Sequence, residues 1–283
     1  MSEPEEASPV AEPEVPSQPP AAHAPVVPPR PLSDFAAAVG FLTLLPIGRT
    51  WKDGRTPRSV GWYAWVGWVL AAITVVPLFF VQGYLGKPDT LHALLYAVLV
   101  VAAWALLTRF LHWDGLADTF DGLWGGQTPE RRLEIMRDSR IGSFGAAAMG
   151  LVALVQVAAV TILISRGLLW PLLVAPVVAR FSASLAAWEL PAARREGLGL
   201  TAMGHAGTYE RLVAGAGVFL LIGLLSFGVA SRQFVLVTGA GLIAGLVVPR
   251  ALSKPVEGMT GDLFGATVLL VETLVFLVGA VIL

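Results

Sequence analysis

Seven apolar stretches limit what this chain can fold into more than any other feature. Their approximate bounds are Val60–Val81, Leu91–Leu111, Phe144–Ile164, Leu168–Leu190, Leu212–Ala230, Phe234–Val248 and Leu263–Leu283. Crossing a bilayer as a helix takes about 20 such residues. Inside hydrocarbon every backbone N–H and C=O must be satisfied within the protein, and continuous apolar runs of this length do so as helices. The sixth stretch is short and runs on toward Leu252. An eighth, Phe35–Ile47, spans only 13 residues and reads as an interfacial or re-entrant helix. The expected fold class is all-α: a polytopic membrane helix bundle of about seven transmembrane helices plus that short N-terminal helix.

Composition agrees. The chain is 55% hydrophobic and 14% charged, where soluble domains carry about 25% charged residues. It has no Cys, which excludes disulfides and thiolate metal sites. A net charge of −1 says nothing about nucleic acid, and no such partner is expected. Residues 1–31 differ: they hold ten of the 20 prolines, five glutamates and no apolar periodicity. They read as a disordered cytoplasmic tail, leaving 32–283 as a membrane-embedded catalytic domain. A secretory signal does not fit an acidic start without an apolar core.

The spans sort the loops onto two sides. One side, 49–59, 112–143, 191–211 and 249–262, carries thirteen Lys and Arg; the other carries Lys87, Arg166 and Arg232. This asymmetry places the long loops and the N-terminus in the cytoplasm and the C-terminus outside, with the lipid bilayer as partner. The motif-bearing loops then share one side. No internal repeat is evident, which speaks against an inverted-repeat transporter.

Within the first long loop, His112-Trp113-Asp114-Gly115-Leu116-Ala117-Asp118-Thr119-Phe120-Asp121-Gly122 places three carboxylates at i, i+4 and i+7. On a helix they share one face, where like charges repel unless something compensates them. A hard divalent cation does so and keeps coordination sites for phosphate, so the pattern points to metal-assisted phosphoryl chemistry. Gly115 and Gly122 suggest close backbone approach or turns. Further on, Thr128 caps a helix from Pro129 that is expected to run through Arg137, Asp138, Ser139 and Arg140 to just before Gly142. Arg137 and Arg140 suit phosphate oxygens, whereas Arg131 and Arg132 fit an ordinary basic flank. Arg180 lies mid-span, a costly position that requires an acidic partner or a bound phosphate; Glu272 mirrors it in the last span, and Asp262 starts that span. His112 is a ligand, a base or an interfacial hydrogen-bonding group.

Taken together these residues resemble the cobalamin synthase (adenosylcobinamide-GDP ribazoletransferase) family. The resemblance rests on His112-x-Asp114-Gly115-Leu116-Ala117-Asp118-Thr119-x-Asp121-Gly122, then Leu133-x-Ile135-Met136-Arg137-Asp138-Ser139-Arg140-x-Gly142. Arg180, Ala193-Arg194-x-Glu196-Gly197-Leu198-Gly199, Thr260-Gly261-Asp262-x-x-Gly265-Ala266 and Glu272 extend it, and Phe41-x-Thr43-x-x-Pro46 fits the N-terminal signature. It runs from about residue 35 to the end. Leu44 departs from a frequent Arg, Glu257-Gly258 from a frequent Gly-Gly, and Leu269 from a position that is acidic in some relatives.

The resemblance implies the last joining step of cobalamin assembly in the bacterial cytoplasmic membrane. Adenosylcobinamide-GDP and α-ribazole, or its 5′-phosphate, give adenosylcobalamin, or its 5′-phosphate, and GMP, with Mg²⁺ as cofactor; other cobalamin-assembly enzymes are candidate partners. On this reading Asp114, Asp118, Asp121 and Asp262 hold metal, and Arg137, Arg140, Arg180 and Arg194 meet phosphates. Asp138 and His112 are the catalytic candidates, with Asp138 either base or further ligand. A lipid-type CDP-alcohol phosphotransferase shares the chemistry, but its signature carries an Ala-Arg pair where this chain has Ala117-Asp118. A transporter and a scaffold are the remaining alternatives, and neither requires the acidic cluster.

Overall fold

The computed structural model describes residues 29–47, 58–194, 207–228 and 232–282. Positions 1–28 of the expected tail lie outside the described residues, as does Arg195. Ten α-helices follow one another among the described residues. They are α1 (Pro31–Leu42), α2 (Tyr63–Leu85), α3 (Thr90–Leu107), α4 (Leu111–Gly125), α5 (Pro129–Ile135), α6 (Ser143–Ser165), α7 (Trp170–Glu189), α8 (Thr208–Gly228), α9 (Arg232–Ser253) and α10 (Gly261–Ile282). Seven of them, α2, α3 and α6–α10, are long and apolar enough to cross a membrane.

The bundle has a centre and a periphery. In α7, 83% of the most apolar window is buried, and in α10, 67%, against 28–44% in the other five spans. The outer helices accordingly turn residues such as Phe79, Leu95, Leu151, Phe219 and Val247 outward. Such faces fit lipid, where association depends on close packing rather than on hiding apolar surface from water. Gly67 provides one close approach: a side chain there would run into the backbone of α7 at Pro176 and Val177.

Three bounds differ from the sequence expectation, each for a local reason. The second span stops at Leu107, because Arg109 and Phe110 take left-handed conformations with φ of 54° and 56°. That break turns the chain out of α3 and restarts it as α4. The sixth span is not short: its helix begins at Arg232 and a 3-10 turn carries it on to Val256. Conversely, α5 ends at Ile135 rather than before Gly142, although Thr128 does cap it, accepting the Arg131 N–H at 3.3 Å. The short N-terminal helix docks on protein: the Leu44 N–H donates to Leu107 O at 2.7 Å, and Arg109 Nη2 to Phe41 O at 3.1 Å.

Candidate active site

Helix α4 carries the acidic face and is not one of the seven long apolar helices. It lies across α10 at the bundle end where α10 begins, and two glycines set the spacing. A Cβ on Gly115 would sit 2.6 Å from Asp262 O, and one on Gly265 would sit 3.1 Å from Leu111 O. This crossing brings the first turn of α10 against the carboxylates of α4. Thr260 caps α10, accepting the Leu263 N–H at 3.2 Å, and its hydroxyl donates to Asp262 Oδ2 at 3.3 Å. Arg194 arrives from the segment after α7. That segment is pinned to the start of α10 by Ala193 N–H to Met259 O (3.0 Å) and Met259 N–H to Pro191 O (2.8 Å). Arg194 Nη1 then lies 3.9 Å from Asp262 Oδ2, while its Nη2 donates to Leu133 O at 2.9 Å.

Electrostatics tie the group together. Burial pushes the Asp118 carboxyl up to about 7, reinforced by the charges of Asp262, Asp114 and Asp121 and opposed by Arg194. Burial draws Arg194 down, offset by Asp262, with Arg137 a further like charge nearby. Asp114, Asp118, Asp262, Arg137 and Arg194 therefore share one electrostatic neighbourhood.

Asp121 has a different setting. Its Oδ2 accepts the Gly142 N–H at 2.7 Å and its Oδ1 the Gly145 N–H at 2.9 Å, so it caps α6, an apolar helix whose first amides need an acceptor. Gly142 and Gly145 leave room for that carboxylate, which a side chain at either position would strike. Asp121→Asn should cost roughly 1–3 kcal/mol of stability and depress turnover less than Asp118→Asn does. Melting temperature and turnover measured side by side test this; a loss of turnover equal to that of Asp118→Asn at unchanged stability would make Asp121 a ligand instead.

The catalytic and phosphate candidates divide. Arg140 forks onto Asp138, Nε to Oδ1 at 3.0 Å and Nη2 to Oδ2 at 2.7 Å, and holds that carboxyl down at about 2. A carboxylate so paired is a poor general base, and Arg140 is partly spent on it. His112 is buried and neither ring nitrogen has a hydrogen-bond partner; burial, then the neighbouring Arg180, pushes its pKa well down, so the ring is neutral. Arg180, 1% exposed, is paired with Glu272, 3% exposed, deep between α7 and α10. Glu272 is the acidic partner that a mid-span guanidinium calls for, since a buried guanidinium is tolerated where a carboxylate faces it. Arg132, expected as an ordinary basic flank, instead ties loops together: it donates to Gly126 O at 3.1 Å and Pro255 O at 2.9 Å.

Among the described residues no three His, Asp or Glu side chains converge tightly enough to cage a metal by themselves. A cation that relies on protein for one or two carboxylates and takes its other ligands from water and phosphate, as Mg²⁺ does, fits hard oxygen donors so arranged. Asp114, Asp118 and Asp262 are the residues available to it.

Comparison with known proteins adds the decisive observation: the family described as cobalamin-5-phosphate synthase matches residues 34–280. The chain belongs to the cobalamin-5-phosphate synthase family. Relatives of this synthase family include an adenosylcobinamide-GDP ribazoletransferase of Syntrophobacter fumaroxidans, 39% identical over 88% of this chain and 98% of the relative. Proteins of the same name from Chlorobium chlorochromatii (38%; 89% and 97% covered) and Shigella flexneri serotype 5b (34%; 87% and 98%) are also similar. No solved structure matches the chain significantly. Every site residue discussed above falls inside the segment that matches the synthase family.

Proposed function

We infer that this chain is an adenosylcobinamide-GDP ribazoletransferase, performing the final joining step of cobalamin assembly. The observation that carries the reading is the Asp114, Asp118 and Asp262 face beside Arg194, in a member of this synthase family. In the reaction a ribose hydroxyl of α-ribazole, or of its 5′-phosphate, attacks the phosphorus that bears cobinamide. One P–O bond forms as the hydroxyl gives up its proton to solvent or a carboxylate of the site, the diphosphate bond breaks, and GMP leaves with the electron pair. Mg²⁺, when bound, would neutralise diphosphate charge and stabilise the leaving group.

The chain's own residues supply the frame. Asp114, Asp118 and Asp262 offer oxygen ligands from two helices locked together at Gly115 and Gly265. Arg194 and Arg137 lie where diphosphate oxygens need donors, Arg194 being held by Leu133 and Asp262. Asp138 keeps Arg140 oriented. In the sequence, thirteen Lys and Arg fall in the segments that share the site's side of the spans, against three on the other, which favours a multi-pass protein of the cytoplasmic membrane with the site facing the cytoplasm.

The test is GMP release by purified protein in liposomes, given adenosylcobinamide-GDP, α-ribazole and Mg²⁺. GMP formed together with a cobalamin product, dependent on ribazole and abolished by EDTA, is the expected result. Folded protein that releases no GMP overturns the reaction; turnover indifferent to EDTA overturns the metal alone.

A further inference from the structure

Three exposed apolar side chains gather where the acidic helix α4 ends and α6 begins. Trp124, in the last turn of α4, is 55% exposed. Ile141, just before α6, is 61% exposed, and Phe144, in its first turn, is 44% exposed. Asp121 brings them together, because its carboxylate fastens α4 to the Gly142 and Gly145 N–H groups. The aromatic rings form a row, with centroids 4.8 Å apart from Phe120 to Trp124 and 5.8 Å from Trp124 to Phe144, both edge to face. Such contacts fix ring orientation, so the open face of Trp124 is a built surface. Its indole N–H donates to no protein group among the described residues.

The sequence of α6 decides what lies against that surface. Phe144, Ala147, Leu151, Leu154, Ala158 and Ile162 are exposed in succession, at spacings of three and four that keep them on one side of the helix. Gln156 faces the other way and donates to Thr273 on α10 at 3.0 Å. Because α6 is long and apolar enough to cross a membrane, and only 33% of its apolar window is buried, the exposed side faces lipid. Phe144 is the first member of this lipid face, and Trp124 and Ile141 extend it past the end of the span. A soluble partner seated on Trp124 would have to stop at Phe144, where the lipid face starts. Substrate at the acidic face is also badly placed to reach the rings: Phe120 and Trp124 are turned about 160° and 120° around α4 from Asp118. Tryptophan, with a flat apolar body and one N–H donor, suits the depth at which hydrocarbon gives way to headgroups.

We propose that Trp124, Ile141 and Phe144 form a lipid contact at the headgroup boundary, which seats the end of the acidic helix against the bilayer. One face of α4 then meets lipid, while another presents carboxylates to water. Asp118 precedes Trp124 on the same helix by about 9 Å of axial rise. The acidic face therefore opens at headgroup depth, and its chemistry takes place at the membrane surface rather than in bulk solvent. This contact does not depend on which reaction the acidic face performs.

The chain has no cysteine, so single thiols report their own surroundings. Trp124→Cys and Ile141→Cys, each carrying a small fluorophore, are placed in phosphatidylcholine liposomes spin-labelled either at the headgroup or at the middle of the acyl chain. Both positions should lose most of their emission to the headgroup label and keep most of it with the mid-chain label. Leu154→Cys, half-way along α6 and exposed on its lipid side, should show the reverse. Emission quenched by aqueous iodide and by neither lipid label puts the patch in water and overturns the proposal. Emission shielded from iodide and lipid alike means that a second copy or another protein covers it, which also overturns it. Lipid quenching that vanishes when α-ribazole or adenosylcobinamide-GDP is added would give the rings to substrate instead. Should Trp124→Cys fail to fold, Ile141→Cys carries the same test alone.

Discussion

Asp118→Asn will lower GMP release by about 10²–10³-fold, the cost of removing one preorganised electrostatic group from a phosphoryl-transfer site, and will raise the melting temperature of the metal-free protein. Both effects have one cause. Asp118 is half-buried and surrounded by Asp262, Asp114 and Asp121, so its carboxyl titrates near 7 instead of near its ordinary 3.8. The folded protein thus holds this proton more tightly than the unfolded chain, and stability falls as pH rises between about 4 and 7. Above 7 the full penalty applies. Because solvent screens a half-exposed group, the gain from Asn is about 1–2 kcal/mol rather than the whole shift. The stability curve of the variant should also be flatter across that pH window. Thermal unfolding from pH 4.5 to 8 in EDTA, paired with turnover at saturating Mg²⁺, tests the claim. An active variant, or one less stable than wild type at pH 8, would sink it.

Arg180→Gln will be the most damaging single change to stability, at about 3–5 kcal/mol, because it strands Glu272 in the middle of the bundle. The double change Arg180→Met with Glu272→Met should recover most of that loss, since two similar-sized apolar side chains replace a pair whose desolvation was already costly. Per folded molecule, the double variant should turn over within a few-fold of wild type. This separates two roles: an arginine that holds substrate phosphate leaves the double variant stable but inactive, whereas one that only balances Glu272 leaves it active. Unfolding in detergent and turnover in liposomes, measured on both variants, decide between them.

The fold was largely legible in the sequence because its determinants are local. Twenty-residue apolar runs and the cap at Thr128 each act within a segment. The two-residue left-handed break at Arg109 and Phe110 was not legible, because neither residue favours that conformation on its own. The site was partly legible. The i, i+4, i+7 carboxylates announce a charged helix face, and Asp262 could be named, but its approach to Asp118 depends on the Gly115–Gly265 crossing between elements far apart in the chain. The capping role of Asp121 was hidden for a similar reason: it depends on where α6 begins after α5 has turned back.

The Arg180–Glu272 pair also bears on how the protein is made. Its members are 92 residues apart, and synthesis runs from the N-terminus at about 5–20 residues per second. The helix carrying Arg180 is therefore complete roughly 5–20 s before its neutralising partner exists. The arrival of α10 delivers both the carboxylate that faces Arg180 and Asp262, so a chain interrupted before the last helix lacks the buried pair and part of the acidic face together.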